Sequence, residues 1–303
     1  MSLDASTSNT GGKRLNWRGF RNQILVRLVP HLATQHEACH SLSVMSRTDP
    51  LSLEDRVAVV LGGTSGIGLA IASGLANAGA HVIPTSRRLD AVREACRQVE
   101  SIGRRTVMCT SDVLDRTSLE QVRGRVLSEF GQIDIMVNCA GTTKRTPSLD
   151  VSEEEWDSII ETNLTGAFRA CQVFGRAMLQ RGSGSIINIA SLTSHVGFME
   201  VAATSASKSG VLGLTKALAV EWAKKGVRVN AICPGVFLTP LNEHLLRNTA
   251  GGNELVMRTP MQRFGDTREL AGAAVYLASD ASGFVTGTSL VVDGGFLASG
   301  VNQ

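Results

Sequence analysis

Short apolar runs alternate with longer amphipathic segments from Leu53 to near the end of the chain. Short runs that end in Gly, Asn or Ser are typical of buried strands, whereas apolar residues spaced three and four apart are typical of helices. Their alternation predicts βαβ units, and hence an α/β protein with a doubly wound parallel sheet flanked by helices. We expect about seven strands, at residues 57–61, 81–86, 106–113, 133–139, 185–190, 227–233 and 289–292.

Two intervening segments show clear helical spacing, residues 67–77 and 205–225. In the second, Val211, Leu214, Leu218 and Trp222 fall on one face, which we interpret as core or subunit interface. Residues 238–265 have the weakest pattern. We interpret this stretch as a mobile substrate lid.

The first 50 residues lack this alternation and are basic. Arg-rich, acid-poor composition is also typical of targeting peptides, but no continuous apolar run of a secretory signal is present. We therefore predict an N-terminal extension, residues 1–50, that is disordered or non-native, followed by one dinucleotide-binding and catalytic domain at residues 51–303. The basic residues of the extension are Lys13, Arg14, Arg18, Arg21 and Arg27, against Asp4 and Glu37.

The composition limits the kinds of partner that the protein is expected to bind. The chain has 303 residues, 43% of them hydrophobic, and a formal charge of +3, so no basic surface for nucleic acid is indicated. No apolar run approaches the ~18 residues that cross a bilayer, so no membrane partner is expected. Six cysteines without a C-x-x-C pair indicate reduced thiols, no metal site and a cytoplasmic location. A small-molecule partner is favoured.

The first strand runs into a glycine-rich turn that opens a helix, Gly62-Gly63-Thr64-Ser65-Gly66-Ile67-Gly68. Glycine lets the chain reverse tightly and lets a pyrophosphate approach bare backbone, while the helix N-terminus offers free N–H groups. A lone glycine motif is weak evidence, but its position after the first strand predicts a Rossmann-type dinucleotide site.

The second strand ends at Ser86-Arg87-Arg88, where an NAD-binding protein of this architecture usually has an acid. An acid would repel a 2′-phosphate, whereas a hydroxyl and two guanidinium groups would bind it. The sequence therefore favours NADP(H), with NAD(H) as the alternative. The alternative is that both arginines are solvated loop charges, which is less common for a pair at this position.

Further motifs follow in order: Asp112-Val113, Asn138-Cys139-Ala140-Gly141, Asn163, Ser191, Lys208, Pro234-Gly235 and Asp293-Gly294-Gly295. With the glycine turn, they make residues 53–296 resemble the short-chain dehydrogenase/reductase family. The pattern is similar to gluconate 5-dehydrogenase-like members, and 3-oxoacyl carrier-protein reductases share nearly the same motifs. One departure is Leu61, where the family usually has Thr.

The resemblance implies roles for these residues. Asp112 and Val113 would lie against the adenine, and Asn138, Ala140 and Gly141 would line the cofactor cleft. Pro234, Gly235, Val236 and Thr239 would approach the nicotinamide. The run from Asp293 to Phe296 looks like the family's C-terminal interface segment and implies a homotetramer.

The family's catalytic group is Asn, Ser, Tyr and Lys, with Tyr and Lys four residues apart on one helix face. Here Asn163, Ser191 and Lys208 match, but Thr204 stands where Tyr is expected. By resemblance, Ser191 polarises the substrate oxygen, Lys208 binds the ribose and Asn163 holds a relay water. A phenol, with a pKa of about 10, donates the proton in the family, and a Thr hydroxyl is far less acidic.

Two functions follow from this departure. The first is an NADP(H)-dependent oxidoreductase that interconverts a secondary alcohol and a carbonyl, on a sugar acid or polyol, with a water at Thr204, Ser191 and Lys208 relaying the proton. The second is a catalytically impaired dinucleotide-binding protein, acting as a redox sensor or oligomer partner. A cleft filled beside Thr204 by Met199, Glu200 or another neighbour would favour the second. His195 and Glu200 are interpreted as loop residues, and Tyr276 as core.

Overall fold

The computed structural model describes residues 49–240 and 242–300. Six strands form one parallel sheet in the order β2-β1-β3-β4-β5-β6. They are β1 (Val57–Leu61), β2 (His81–Thr85), β3 (Ile135–Asn138), β4 (Gly184–Ile189), β5 (Val227–Pro234) and β6 (Ser289–Val292). The order reverses direction between β1 and β3, which confirms the predicted doubly wound, Rossmann-type α/β fold.

Helices connect the strands. In chain order they are α1 (Gly66–Asn77), α2 (Leu89–Ser101), α3 (Arg116–Phe130), α4 (Glu153–Ile160), α5 (Gly166–Arg181), α6 (Ala202–Trp222), α7 (Glu243–Leu246), α8 (Ala250–Arg258) and α9 (Glu269–Ala278). A π-helical turn, Glu161–Thr165, joins α4 to α5. The sequence predicted α1 and α6 to within a few residues, because both have long and regular apolar spacing.

The prediction of seven strands is wrong among the described residues. Residues 106–113 lie beside β2 but form no strand, and backbone bonds join the two only near their ends, from Val82 N to Arg105 O and from Ser111 N to Ser86 O. Pro84 lies two residues after Val82, where the next amide toward this neighbour would be, and proline has no N–H to donate. The sheet therefore ends at β2.

Successive β1 residues face opposite layers of the core. Val57, Val59 and Leu61 pack against α3 and α5, while Ala58 and Val60 pack against α1 and α9. A strand buried on both sides needs an unbroken apolar run, which is the run that the sequence shows. The helix stripe on α6 is also core, since Val211, Leu218 and Trp222 are buried.

Two short helices, α7 and α8, lie in the segment interpreted as a lid. Neither was visible in the sequence, because four and nine residues give too few turns for a periodic pattern. The segment is anchored at its base, where Gly265 N donates to Val236 O over 3.0 Å. Its role as a mobile lid stays a prediction. The predicted extension at residues 1–50 lies almost entirely outside the described residues.

Candidate active site

The glycine turn lies between β1 and α1 and is held against β2. Gly62 N donates to Thr85 O over 2.8 Å. A Cβ on Gly62 would lie 2.7 Å from Ala140 N, and one on Gly68 would lie 2.1 Å from Gly62 O. Side chains at either position would push the turn away from the sheet. The turn thus requires glycine for close packing, as the sequence predicted.

The turn leaves backbone donors free. Leu69 N is the first amide of α1 to find a helical acceptor, Ser65 O, at 3.1 Å. Within the described part of the chain, the amides of Ser65, Gly66 and Ile67 have no acceptor. Unpaired amides at a helix N-terminus suit an anion. The residues present therefore fit the pyrophosphate of a dinucleotide.

The residues after β2 adjoin the same turn. Thr64 Oγ1 donates to Ser86 Oγ over 2.9 Å, which links the turn to the end of β2. Arg87 and Arg88 are exposed, and no carboxylate oxygen of residues 49–240 or 242–300 lies within 4.0 Å of either guanidinium group. Two unpaired guanidinium groups beside a hydroxyl fit a 2′-phosphate.

The far end of the cleft comes from β5. Gly235 N donates to Val292 O over 2.8 Å, and a Cβ on Gly235 would lie 2.5 Å from Asp293 Cα. Beyond it, the Thr239 side chain lies 3.4 Å from the Cβ position of Gly66. The Pro234–Thr239 segment and the glycine turn, 170 or so residues apart in sequence, therefore border one cleft.

Three of the predicted cofactor positions also have contacts within the fold. Asn138 is buried, and its Nδ2 donates to Asn188 Oδ1 over 2.8 Å in the core. Asp112 Oδ1 accepts from Leu114 N over 3.0 Å in the loop before α3. Val113 is buried beside Gly166. The Asn138 side chain thus links β3 to β4 within the core. Its neighbours Ala140 and Gly141 face the site instead.

Lys208 lies in the first turns of α6, where its Nζ donates to Ile189 O over 2.7 Å at the end of β4. Burial lowers the pKa of the Lys208 ammonium, and the adjacent Cys139 and Cys233 thiols oppose the shift. Burial also raises the pKa of Cys233 to about 11, so this thiol is protonated at neutral pH. Lys208 is thus a buried amine that a backbone carbonyl holds in place close to two thiols.

Asn163 lies in the π-helical turn, and such turns often occur at functional sites. Its Oδ1 accepts from Thr142 N over 2.8 Å, and its Nδ2 donates to Thr142 O over 2.9 Å. Nδ2 also lies 3.2 Å from Ser207 Oγ. Asn163 therefore clamps the loop after β3 to α6.

The other two positions predicted to be catalytic both precede Lys208 in the chain. Ser191 follows β4 by two residues and its Oγ accepts from Thr193 N over 3.1 Å. Thr204 is 8% exposed and lies one helical turn before Lys208 on α6. Its Oγ1 is 2.9 Å from Thr143 Oγ1.

The residues near Thr204 differ in whether they contact its side chain. Met199 is 77% exposed, and Glu200 pairs with Arg145 at 3.7 Å, so neither covers Thr204. Thr143 is the neighbour that does contact it. His195 is exposed and its Nε2 lies 3.3 Å from Cys233 Sγ, while Tyr276 packs with the α1–α9 side of the core.

Three contacts could not be predicted from the sequence. They are those of Thr143 with Thr204, of Ser207 with Asn163, and of the Ile189 carbonyl with Lys208. Thr143 follows the Asn138–Gly141 motif by two residues, but only the path of the loop decides that its hydroxyl turns toward α6. Backbone acceptors such as Ile189 O carry no sequence signal at all.

In residues 49–240 and 242–300 no three His, Cys, Asp or Glu side chains group closely enough to hold a metal ion. Over the same residues, no helix has the length and apolar character needed to cross a membrane.

The fold and this arrangement define a dinucleotide-dependent oxidoreductase scaffold. A family model described as "Enoyl-(Acyl carrier protein) reductase" matches residues 62–297. D-threitol dehydrogenase from Mycolicibacterium smegmatis is 41% identical over 80% of this chain and 94% of its own length. Gluconate 5-dehydrogenase from Gluconobacter oxydans is 37% identical over 84% of this chain and 100% of its own.

A solved structure gives the same result. The gluconate 5-dehydrogenase of Burkholderia cenocepacia J2315, in complex with NADP and tartrate, superposes with a TM-score of 0.79. It is 36% identical, over 83% of this chain and 98% of that one. The chain belongs to the short-chain dehydrogenase/reductase family, as its motifs predicted.

Proposed function

We propose that this protein is an NADP(H)-dependent oxidoreductase that interconverts a secondary alcohol and a carbonyl on a sugar acid or polyol. Its relatives act on such compounds by name, as D-threitol dehydrogenase and gluconate 5-dehydrogenase. A homotetramer remains a prediction from the resemblance, and a cytoplasmic location remains a prediction from the cysteine pattern.

One convergence carries the proposal. A Cβ on Gly141 would lie 3.2 Å from Asn163 Oδ1 and 3.6 Å from Lys208 Nζ. Ala140, the preceding residue, contacts the glycine turn. The turn suited to phosphates and the lysine of the catalytic group are therefore joined through two adjacent residues, as a cofactor that spans both requires.

The chemistry divides between cofactor and protein. NADPH, when bound through residues 62–68 and 86–88, supplies the hydride. Ser191 would polarise the substrate oxygen, and the Lys208 charge would favour the buildup of negative charge on that oxygen. Asn163 would act as a positioning residue, because both ends of its amide hold the loop after β3.

Thr204 limits this reaction. A positioned general acid contributes about 100- to 10,000-fold, so its replacement lowers turnover without removing the hydride chemistry. The alternative, a binding protein without turnover, is supported by the contact of Thr143 on Thr204. Against it stand Lys208 and Asn163, both held in place.

We expect Thr204→Tyr to raise kcat for NADPH-dependent carbonyl reduction about 100-fold or more, since it restores a phenol at i−4 from Lys208. The measurement is NADPH oxidation against keto-sugar acids, diketones and acyl thioester analogues.

Thr204→Phe is the matched control, because it adds the ring without the acidic proton, and it should give no gain. If wild type and Thr204→Tyr are both silent on every substrate while NADPH binds, the oxidoreductase proposal fails and the binding protein replaces it.

A further inference from the structure

We infer that Thr143 and Thr204 form a two-hydroxyl proton path that takes the place of the missing phenol, in which Thr143 returns the proton to Thr204. This inference rests on the proposed function. It concerns how the proton reaches the substrate, and the sequence assigned no role to Thr143.

The path begins at a buried hydroxyl. Thr204 is 8% exposed, and among the described residues its Oγ1 has one hydrogen-bond partner, Thr143 Oγ1 at 2.9 Å. Its position one turn before Lys208 places it on the same helix face as the ammonium. Thr143 is therefore the hydroxyl from which Thr204 would regain a proton given to a substrate.

The path ends at solvent. Thr143 is an exposed residue of the loop after β3, so its hydroxyl joins the buried Thr204 to bulk water. The loop is not free to carry that hydroxyl away. Asn163 holds the adjacent Thr142 by both its N–H and its carbonyl, at 2.8 and 2.9 Å. The Thr143 hydroxyl is thus both accessible and fixed.

Two hydroxyls in series can move a proton that neither could release alone. Each is a donor and an acceptor, so both transfers can accompany the hydride and no free alkoxide forms. In reduction, the carbonyl carbon gains the hydride that NADPH gives up. The carbonyl oxygen takes the Thr204 proton, Thr204 takes that of Thr143, and Thr143 takes one from solvent. The substrate gains one hydride and one proton, NADPH is oxidised to NADP⁺, and both threonines are regenerated.

The charged residues near Thr143 and Thr204 are compatible with this proton transfer. Lys208 lies one turn after Thr204 on α6, and its ammonium, held on Ile189 O, would favour partial negative charge on the hydroxyl oxygens. The two basic residues of the loop after β3 form ion pairs with carboxylates of other segments, Lys144 with Glu155 of α4 and Arg145 with Glu200 just before α6. None of these four carboxylates and cations bonds to either threonine.

The test is a double-mutant cycle with Thr143→Val, which keeps the shape and removes the hydroxyl, in the wild type and in Thr204→Tyr. In the wild type, kcat should fall about 10- to 100-fold, while substrate KM, NADPH Kd and the thermal midpoint stay unchanged. In Thr204→Tyr the loss should shrink to less than about threefold, since the phenol supplies the proton. Thr143→Ser should restore most of the lost turnover.

Thr146→Val is the matched control, because it makes the same change three residues along the loop, where the hydroxyl bonds Glu155. It should leave the cycle unaffected. An equal loss from Thr143→Val in both backgrounds would show a structural role and overturn the path, as would an unchanged wild-type kcat. If only Thr204→Tyr turns over, the path is wrong and the reductase scaffold stands. If neither protein turns over, the proposed function itself fails and the path with it.

Discussion

NADP(H) differs from NAD(H) by one 2′-phosphate. That phosphate would lie at the two exposed guanidinium groups after β2. Arg87 and Arg88 have no partner in the described residues, and the Ser86 hydroxyl between them and the glycine turn is already oriented by Thr64. A 2′-phosphate would thus meet two unpaired guanidinium groups and a hydroxyl that Thr64 already holds in place.

We expect replacement of both arginines by alanine to weaken NADPH binding about 10- to 100-fold and to change NADH binding less than about threefold, because only NADPH has the 2′-phosphate. Each charged hydrogen bond contributes about 1.5–3 kcal/mol before solvent screening. Fluorescence titration with both cofactors measures the effect.

Arg97→Ala is the control for that pair, since Arg97 lies on α2, the helix that follows the pair, and is bound to Glu94. Tighter binding of NADH than NADPH by the wild type would contradict the proposed preference, and so would an equal loss for both cofactors in the double variant.

At the scale of elements, the helix that carries the phosphate turn is held by an unusually close neighbour. A Cβ on Gly74 of α1 would lie 2.4 Å from the Cβ of Ala271 on α9. By contrast, a Cβ on Gly272, the next residue of α9, would meet nothing within 4 Å. The two helices thus offer one crowded and one open glycine.

Gly74→Ala should lower the free energy of unfolding by about 1–2 kcal/mol, because overpacking costs about 1–3 kcal/mol and exceeds the gain in helix propensity. Gly272→Ala should raise it by about 0.5–1 kcal/mol. Urea unfolding compares the two. Equal stabilisation by both would show that α1 and α9 separate without cost.

The same crowding bears on function. A displaced α1 also displaces the unpaired amides of Ser65, Gly66 and Ile67, so NADPH affinity should fall in Gly74→Ala and stay constant in Gly272→Ala. The fit between two helices therefore contributes to the precision of a site that neither forms alone.

At the scale of the whole molecule, the two sheet edges differ. β6 is an edge strand whose four residues are all only half-buried, and Phe284 just before it is fully exposed. Exposed apolar edges are sites of association. This supports the homotetramer that the family resemblance implies.

Sedimentation velocity should therefore give four times the 32.1 kDa of the chain. Phe284→Glu should shift the protein to smaller species, because it places a charge in the apolar contact. Met108→Glu is the control, since Met108 is half-exposed beyond β2, at the opposite edge. A monomeric wild type would refute the prediction.

Several of these features could be predicted from the chain alone. Apolar runs such as 57–61 and the glycine turn after them are local patterns, and they gave the strands, α1 and the family. The seventh strand could not be excluded in the same way, because its loss depends on Pro84 in a different segment. Short helices such as α7 and α8 depend on contacts rather than on periodicity.

The sequence by itself determined the alternation of strands and helices, the phosphate turn, and which residue types stand at the predicted catalytic positions, because each depends on neighbouring residues. Only the tertiary structure decided which of those residues meet. It turned Asn138 into the core, brought Thr239 against Gly66, and set the Thr143 hydroxyl on Thr204. Such contacts join segments far apart in the chain, and their geometry follows from packing, which no local pattern records.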